Sequence, residues 1–299
     1  MEAIVNLEKV QFGKTGLTVS RIGLGAGKVG SPKLSDADAE KVLNTALDSG
    51  INLIDTARGY GLSEERIGKF LSHRRKDFIL STKVGYNVPG FVDWSYDIIL
   101  AGIDEALKAL KTEMIDVVHL HSCSVEMLER GEVIGALEAA QAAGKIRFLA
   151  YSGENLALEY AIACGRFQVI QASLNICDQR IIDRPLPDAK KRDIGFIAKR
   201  PLANAPWRFT ERPIADYAEE YWLRWSAMQI DPGGLPWNEL ALRFAAYTPG
   251  VHCCVMGTNK LDHIKDNIAA VAKGPLPDDM QAAIRGHFKE HDRYWIGQI

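Results

Sequence analysis

The stretch GINLIDTARGYGLSEERIG, residues 50–68, contains the pattern that decides the fold. It begins with an apolar run typical of a buried β-strand, and this run ends on the carboxylate of Asp55. Tyr60 follows in a short, glycine-containing loop. Ser63 is then the predicted N-cap of a helix whose first turn is acidic. The stretch therefore predicts a strand, a loop and a helix, with an ionisable residue where the strand ends.

The same unit repeats along the chain. Most of the apolar runs do not alternate with polar residues, which is typical of strands buried on both faces of a parallel sheet. Between them, Ser35 and Ser95 are predicted to begin helices, and Gly50 and Gly144 to end them. Eight strands are predicted, at RIGLGA (21–26), INLIDTA (51–57), FILSTKV (78–84), MIDVVHLHS (114–122), IRFLAYSG (146–153), FQVIQASLN (167–175), IGFIAKRPL (194–202) and HCCVMGT (252–258).

Eight such units without a Pro/Gly/Ser-rich linker predict an α/β fold, a single (β/α)8 TIM barrel that forms one domain over residues 1–299. The segment VQFGKTGLTVS, residues 10–20, is predicted to be an N-terminal β-hairpin that could plug the bottom of the barrel. The region between strands seven and eight is long, about 50 residues. We expect it to form a decorated loop with one or two helices, and it carries Trp207, Trp222, Trp225 and Trp237.

Composition and charge narrow the class of protein. The chain has 299 residues, 47% of them hydrophobic, which is enough for a large core and argues against a disordered chain. Its 36 basic and 38 acidic side chains give a net charge of −2, so we expect neither nucleic acid nor an anionic membrane as a partner. Five cysteines without a C-x-x-C pair predict no metal site and favour a reducing cytoplasm. We therefore expect a cytoplasmic protein with a small-molecule substrate, and the sequence leaves its oligomeric state open.

Three successive predicted strands end on ionisable residues, namely Asp55, Lys83 and His121. In a barrel of this kind the carboxyl ends of the strands face the active site. Side chains two positions apart share a face of a strand, so His119 lies on the face of His121, one step deeper. A single strand-end charge is more often a structural ion pair, and we interpret His119 as a core residue. Three such groups at adjacent strand ends, with Tyr60 close by as the fourth, favour a catalytic site.

The chemistry of these four residues fits proton donation. A free tyrosine titrates near pH 10, and an ammonium close to the phenol stabilises the phenolate. Lys83 would supply that charge, and Asp55 would hold Lys83 in a buried ion pair. His121 would donate a hydrogen bond to a substrate oxygen. Tyr60 is then the predicted general acid.

The sequence resembles the aldo-keto reductases. The resemblance rests on GLTVSRIGLGAG (16–27), LIDTARGYGLSEERIG (53–68), ILSTKVG (79–85), IDVVHLHS (115–122) and VMGTNKLDHIKDNIAAV (255–271), which stand in the family's order and spacing. It implies a (β/α)8 barrel that uses NAD(P)H to reduce aldehydes and ketones, or that oxidises alcohols and sugar hemiacetals, without a metal. It also implies the catalytic roles for Asp55, Tyr60, Lys83 and His121.

The cofactor site is implied by this resemblance alone, because the chain has no G-x-G-x-x-G fingerprint. By resemblance, Ser152 and Gln171 bind the nicotinamide amide, and Lys199, Arg200 and Leu202 pass under the nicotinamide and pyrophosphate. The resemblance also implies that the adenosine half of the cofactor is bound at the start of a helix, by Gly257, Asn259, His263, Asp266 and Asn267.

Two departures from the family pattern concern the cofactor. Lys199 stands where many members carry an aromatic residue that stacks on the nicotinamide, and Asn259 stands where many carry a basic residue for the 2′-phosphate of NADPH. Lys260 or Arg200 could compensate for the second change. We expect NADPH, with NADH as the alternative.

Four residues after strand ends are predicted to line the substrate rim, namely Lys28, Arg58, Trp94 and Trp207. Two cations there would suit a polyhydroxylated or anionic carbonyl compound, and solvated rim charges are the alternative.

The predicted function is reduction of an aldehyde or ketone, in which a sugar-derived substrate is one option. The alternatives are a sugar or polyol dehydrogenase working oxidatively and an NADPH-binding regulatory subunit.

Overall fold

Eight parallel strands form a closed barrel at the centre of the protein. The computed structural model describes residues 7–298. Two short antiparallel strands, β1 and β2, precede the barrel, and the barrel order is β10-β3-β4-β5-β6-β7-β8-β9. This confirms the predicted (β/α)8 class and all eight predicted strands. The strands are β1 Lys9–Gln11, β2 Thr18–Ser20, β3 Ile22–Gly25, β4 Leu53–Asp55, β5 Ile79–Val84, β6 Ile115–His121, β7 Ile146–Ser152, β8 Val169–Ser173, β9 Gly195–Lys199 and β10 Cys253–Gly257.

Helices surround the barrel. Every residue of β4, β5 and β8 is buried, because these strands face helices on one side and the barrel interior on the other. None of the helices in the described part of the chain is both long and apolar enough to cross a membrane. Among residues 7–298 the α-helices are α1 Asp36–Asp48, α2 Ser63–Leu71, α3 Tyr96–Leu110, α4 Val125–Arg130, α5 Glu132–Ala142, α6 Asn155–Ala163, α7 Pro185–Lys191, α8 Glu219–Met228, α9 Trp237–Tyr247, α10 Leu261–Ala272 and α11 Asp278–His291.

Two of the three predicted N-caps are confirmed. The side chain of Ser35 accepts a hydrogen bond from the backbone N–H of Asp38, and that of Ser95 accepts one from Ile98. The prediction for Ser63 is wrong, because this residue lies inside the first turn of α2. Its hydroxyl is buried and donates to the carbonyl of Ala26 at 3.0 Å. Ser63 thus ties the helix start to the loop after β3 instead of capping the helix.

The N-terminal hairpin closes one end of the barrel, as predicted. β1 and β2 pair antiparallel, and Phe12 and Val19 are fully buried in one cluster with inward-facing strand residues such as Leu53 and Val117. A Cβ on Gly195, at the start of β9, would lie 2.8 Å from the ring of Phe12. The hairpin therefore fills the end of the barrel at which the strands begin.

The region between β9 and β10 contains α8 and α9, in agreement with the predicted decorated loop. The ring of Trp237 stacks on Trp207 at 5.7 Å and meets Trp225 edge-on at 5.4 Å. These three partly buried indoles pack on one another and against the main hydrophobic core. The assignment of residues 1–299 to a single domain stays a prediction.

Candidate active site

Asp55 and Lys83 meet at the open end of the barrel, where the strands end. Neighbouring strands β4 and β5 place Asp55 beside Ser81, two residues before Lys83. The ammonium of Lys83 donates hydrogen bonds to the carboxylate of Asp55 at 2.6 Å and to the carbonyl of Thr56 at 2.8 Å. Both side chains are buried, with 3% exposure for Asp55 and 2% for Lys83. The predicted buried ion pair is present in the structure.

The pair keeps both charges inside the protein. Burial by itself raises the pKa of Asp55, but the charge of Lys83 and the hydrogen bonds from Lys83 and Ser81 lower it overall. Burial by itself lowers the pKa of Lys83, and the charge of Asp55 reverses that effect and raises it. The site therefore contains a fixed ammonium at neutral pH.

A tight turn holds Tyr60 over this ammonium. The Lys83 nitrogen lies 5.0 Å from the centroid of the Tyr60 ring, and the ring meets that of His121 edge-on at 6.2 Å. A Cβ on Gly30 would lie 1.6 Å from the backbone oxygen of Tyr60, so only glycine permits the two loops to approach this closely. Gly61 continues the turn with a φ of 57°.

His121 lines the cavity as a neutral imidazole. Burial, followed by the positive charges of Lys83 and Lys199, lowers the pKa of His121 to about 3. Its Nδ1 lies 2.6 Å from the hydroxyl of Tyr86. Among the described residues the other ring nitrogen, Nε2, has no hydrogen-bond partner.

His119 lies fully buried beneath the ion pair, where the sequence predicts a core residue. Ser81 donates its hydroxyl proton to Asp55 at 2.8 Å, so the 3.0 Å contact from His119 Nε2 to the same hydroxyl oxygen requires the imidazole to donate. A chain of hydrogen bonds thus runs from His119 through Ser81 to Asp55. Burial lowers the pKa of His119 to about 3, so this ring is also neutral.

A cavity of about 570 Å³ brings most of the predicted residues together. Sequence reasoning missed six of the residues that line it, namely Gly25, Gly27, Tyr86, Ser122, Tyr217 and Val255. Tyr86 follows the end of β5 by two residues, a position that could have identified it, whereas Tyr217 lies in the long insertion without any such signal. The predicted residues that line the cavity are Lys28, Asp55, Tyr60, Lys83, His121, Ser152, Gln171, Lys199, Arg200 and Gly257.

Ser152 and Gln171 form a hydrogen-bonded pair in the lining of this cavity. The hydroxyl of Ser152 donates to Oε1 of Gln171 at 3.0 Å. The amide nitrogen of Gln171, Nε2, is buried and has no partner among the described residues. A buried donor without an acceptor is costly, so this atom is suited to a ligand carbonyl such as that of a carboxamide.

Lys199 lies at the end of β9 and forms a second buried ion pair. Its ammonium is 3.2 Å from the carboxylate of Glu154, which sequence reasoning missed because it lies in a loop two residues after β7. Burial lowers the pKa of Lys199 overall, although the Glu154 charge opposes that change. The second carboxylate oxygen of Glu154 has no partner within the described structure. Lys199 therefore places a partly compensated positive charge in the cavity that Gln171 also lines.

A groove of about 840 Å³ adjoins the cavity, and both are lined by Lys28, Arg200 and Gly257. The hydroxyl of Thr258 also lines it and lies 3.3 Å from Nδ1 of His263. Asn259 is exposed and does not line this groove. Of the predicted cofactor residues, the groove contains Arg200, Leu202, Gly257, His263, Asp266 and Asn267.

The four predicted rim residues differ in their surroundings. Lys28 is exposed and lines both the cavity and the groove. The guanidinium of Arg58 instead pairs with Glu105 on α3 and donates to the carbonyl of Asn87 at 3.0 Å. Neither Trp94 nor Trp207 lines the cavity. The ring of Trp94 packs against Tyr86 at 5.9 Å, and Trp207 donates to the side chain of Asn238.

Comparison with known proteins finds one family over most of the chain. The model of the Aldo/keto reductase family matches residues 21–289. Uncharacterized oxidoreductase YqkF of Bacillus subtilis (strain 168) is 29% identical, with 95% of this chain and 97% of the relative covered. L-galactose dehydrogenase of Arabidopsis thaliana is 28% identical, with 90% of each chain covered. The solved holo form of aldo-keto reductase AKR11C1 from Bacillus halodurans is 27% identical, with a TM-score of 0.81 and 94% and 96% of the two chains covered.

Proposed function

The chain belongs to the aldo/keto reductase family, and we propose that it is an oxidoreductase that reduces an aldehyde or ketone with NADPH. The observation that carries the proposal is the convergence of Asp55, Tyr60, Lys83 and His121 in one cavity. A phenol above a buried ammonium and a neutral imidazole can together protonate and orient a carbonyl oxygen, which is what carbonyl reduction needs from the protein.

Each of the four side chains has a defined part in this reaction. Tyr60 gives its proton to the carbonyl oxygen, and the adjacent Lys83 ammonium stabilises the phenolate that remains. Asp55 holds Lys83 in position. His121, which is neutral, donates a hydrogen bond to the same carbonyl oxygen and orients it. A bound nicotinamide would supply the hydride to the carbonyl carbon.

The residues of the cavity suit a nicotinamide dinucleotide. The unpaired Nε2 of Gln171 is a donor for the carboxamide oxygen, and the adjoining groove offers space for the rest of the molecule. Four cations and three carboxylates line that groove, and Arg208 and Lys273 form ion pairs with Asp216 and Glu239. The other two cations, Lys28 and Arg200, form no ion pair within residues 7–298, and they support NADPH over NADH because the 2′-phosphate adds negative charge. Comparison of the two dissociation constants tests this choice.

The cavity supports a hydroxylated or sugar-derived substrate. Its lining is rich in hydrogen-bonding groups, and Val255 is the single aliphatic side chain in it among residues 7–298. The name of the plant relative, L-galactose dehydrogenase, points to a sugar for that protein. The same observations favour a second candidate for this chain, oxidation of a sugar or polyol with NAD(P).

The proposal includes a cytoplasmic location. The five cysteines form no disulfide in the structure of residues 7–298, which is consistent with a reducing compartment.

The experiment that tests the function is a panel of aldehydes, ketoses and sugar acids, assayed with NADPH and NADH in both directions. We expect NADPH oxidation with at least one carbonyl class. A preference for NAD⁺ with sugars or polyols would favour the dehydrogenase. Tight NADPH binding without turnover on any substrate would contradict the enzymatic proposal and favour a regulatory subunit.

A further inference from the structure

The hydroxyl of Tyr86 lies 2.6 Å from Nδ1 of His121, on the side of the imidazole away from its unpaired nitrogen. We propose that Tyr86 is a positioning residue that donates this hydrogen bond and thereby fixes the proton of His121 on Nε2. In this tautomer Nε2 can donate to the substrate carbonyl. The inference rests on the proposed function and assigns a role that the four catalytic residues do not fill.

The contact is well supported by packing. The two rings stack with a centroid distance of 5.4 Å and an interplanar angle of 27°, and the ring of Trp94 also packs against Tyr86 at 5.9 Å. Gly85 makes this arrangement possible, because a Cβ there would lie 2.1 Å from the Trp94 ring. Its φ of 143° also disfavours any other residue. The backbone before Tyr86 and the indole beside it thus hold the phenol against His121.

Only one tautomer of His121 can assist carbonyl reduction. A neutral imidazole has one N–H donor and one acceptor nitrogen, so the hydrogen bond at Nδ1 decides the state of Nε2. If Nδ1 carried the proton, Nε2 would present a lone pair to the carbonyl oxygen, and the two acceptors would repel each other. A hydroxyl that donates a hydrogen bond to Nδ1 excludes the tautomer with its proton on Nδ1.

The chemistry of the two groups favours donation by the phenol. A phenol is a stronger acid than a neutral imidazole, and an imidazole nitrogen is a better acceptor than a phenol oxygen. Burial, followed by the neighbouring Tyr60, raises the pKa of Tyr86, so its hydroxyl keeps the proton that it donates. His121 is neutral because burial and the charges of Lys83 and Lys199 lower its pKa to about 3.

The test is imidazole ¹⁵N NMR of the full-length chain, with and without NADPH, together with steady-state kinetics. The signals of His121 are assigned by their loss in His121→Gln. We expect the Nε2–H pattern in the wild type, and in Tyr86→Phe a shift toward Nδ1–H or a mixture. Phenylalanine keeps the ring contacts and removes only the hydroxyl, and Tyr294→Phe, at an 83% exposed position, is the matched control.

In Tyr86→Phe we expect kcat to fall by about 10- to 100-fold while the dissociation constant of NADPH stays unchanged. An Nδ1–H pattern in the wild type would overturn the proposal. It would also be overturned if Tyr86→Phe left both the tautomer and kcat unchanged. If the wild type reduced no carbonyl compound, the proposed function would fail, but the NMR comparison would still decide the tautomer.

Discussion

The ammonium of Lys83 lies 2.6 Å from the carboxylate of Asp55, on the neighbouring barrel strand, and 5.0 Å from the centroid of the Tyr60 ring. The same buried ammonium therefore forms an ion pair within the barrel and lies next to the proposed proton donor, Tyr60. Since Asp55 and the carbonyl of Thr56 fix its position, a change that removes the cation alters stability and chemistry together.

Replacement of Lys83 by methionine leaves the Asp55 carboxylate buried without its partner. We expect the free energy of unfolding to fall by about 3–5 kcal/mol, which is typical of a broken buried pair. The double variant Asp55→Leu/Lys83→Met removes both charges and should recover part of that loss. Urea unfolding of both variants and of the wild type measures these changes in the free energy of unfolding. Equal stability of Lys83→Met and the wild type would show that the pair contributes nothing.

Replacement of Gly30 by alanine should displace Tyr60, because the new Cβ would lie 1.6 Å from the Tyr60 backbone oxygen. A misplacement of about 1 Å at a reacting group costs on the order of 100-fold in rate, so we expect a loss of that size in kcat/KM. Gly135→Ala is the control, since a Cβ there meets nothing within 4 Å. Similar activities of the two variants would contradict the packing of this turn.

The stability of the protein should decline with acid earlier than its carboxylates alone predict. The folded-state pKa of His119 is about 3 against 6.5 for the free side chain. The unfolded chain therefore binds a proton below pH 6.5 that the folded chain excludes, and stability present above that pH is lost progressively toward pH 3. His121 behaves in the same way. Between these two pH values, each histidine should make the free energy of unfolding fall by about 1.4 kcal/mol for every pH unit of acidification.

The variant His119→Gln isolates one of these slopes, because glutamine keeps a donor for Ser81 but does not titrate. Urea unfolding between about pH 6 and pH 5 should show a slope smaller by about 1.4 kcal/mol per pH unit. An unchanged slope would mean that His119 does not exclude a proton in the folded state.

The hairpin plug should matter for stability and not for turnover. Phe12 is fully buried at the closed end of the barrel, away from the cavity at the strand carboxyl ends. We expect Phe12→Ala to lower the free energy of unfolding by about 3–5 kcal/mol and to leave kcat unchanged at a temperature where it is folded. Phe91, which is 44% exposed, provides the stability control as Phe91→Ala, with a cost below about 1 kcal/mol. Equal costs for the two variants would argue against a plug.

The barrel and three of the four central residues, Asp55, Lys83 and His121, could be predicted because they follow from strand periodicity. Strands buried on both faces lack alternation, and side chains two positions apart share the barrel interior. Leu53 accordingly lies in the interior cluster, and Asp55, two residues later, reaches the cavity. The conformation of a strand is local enough for its sequence to specify which face a residue occupies.

The loops could not be predicted in the same way, because their partners come from distant parts of the chain. Arg58 pairs with Glu105 on α3, so its guanidinium turns away from the cavity. Ser63 bonds to the loop after β3 instead of capping α2. Glu154 and Tyr86 acquire their roles only through contacts with Lys199 and His121. No periodic pattern encodes such contacts, which depend on how loops of different units meet.

Tyr60→Phe tests the central claim most directly, because it removes the proposed acidic proton and keeps the ring above Lys83. The measurement pairs kcat for carbonyl reduction with the dissociation constant of NADPH. Loss of a general acid predicts a fall in kcat on the order of 10²- to 10⁴-fold, with the dissociation constant unchanged. A Tyr60→Phe enzyme that kept kcat within a few-fold of the wild type would show that another group donates the proton.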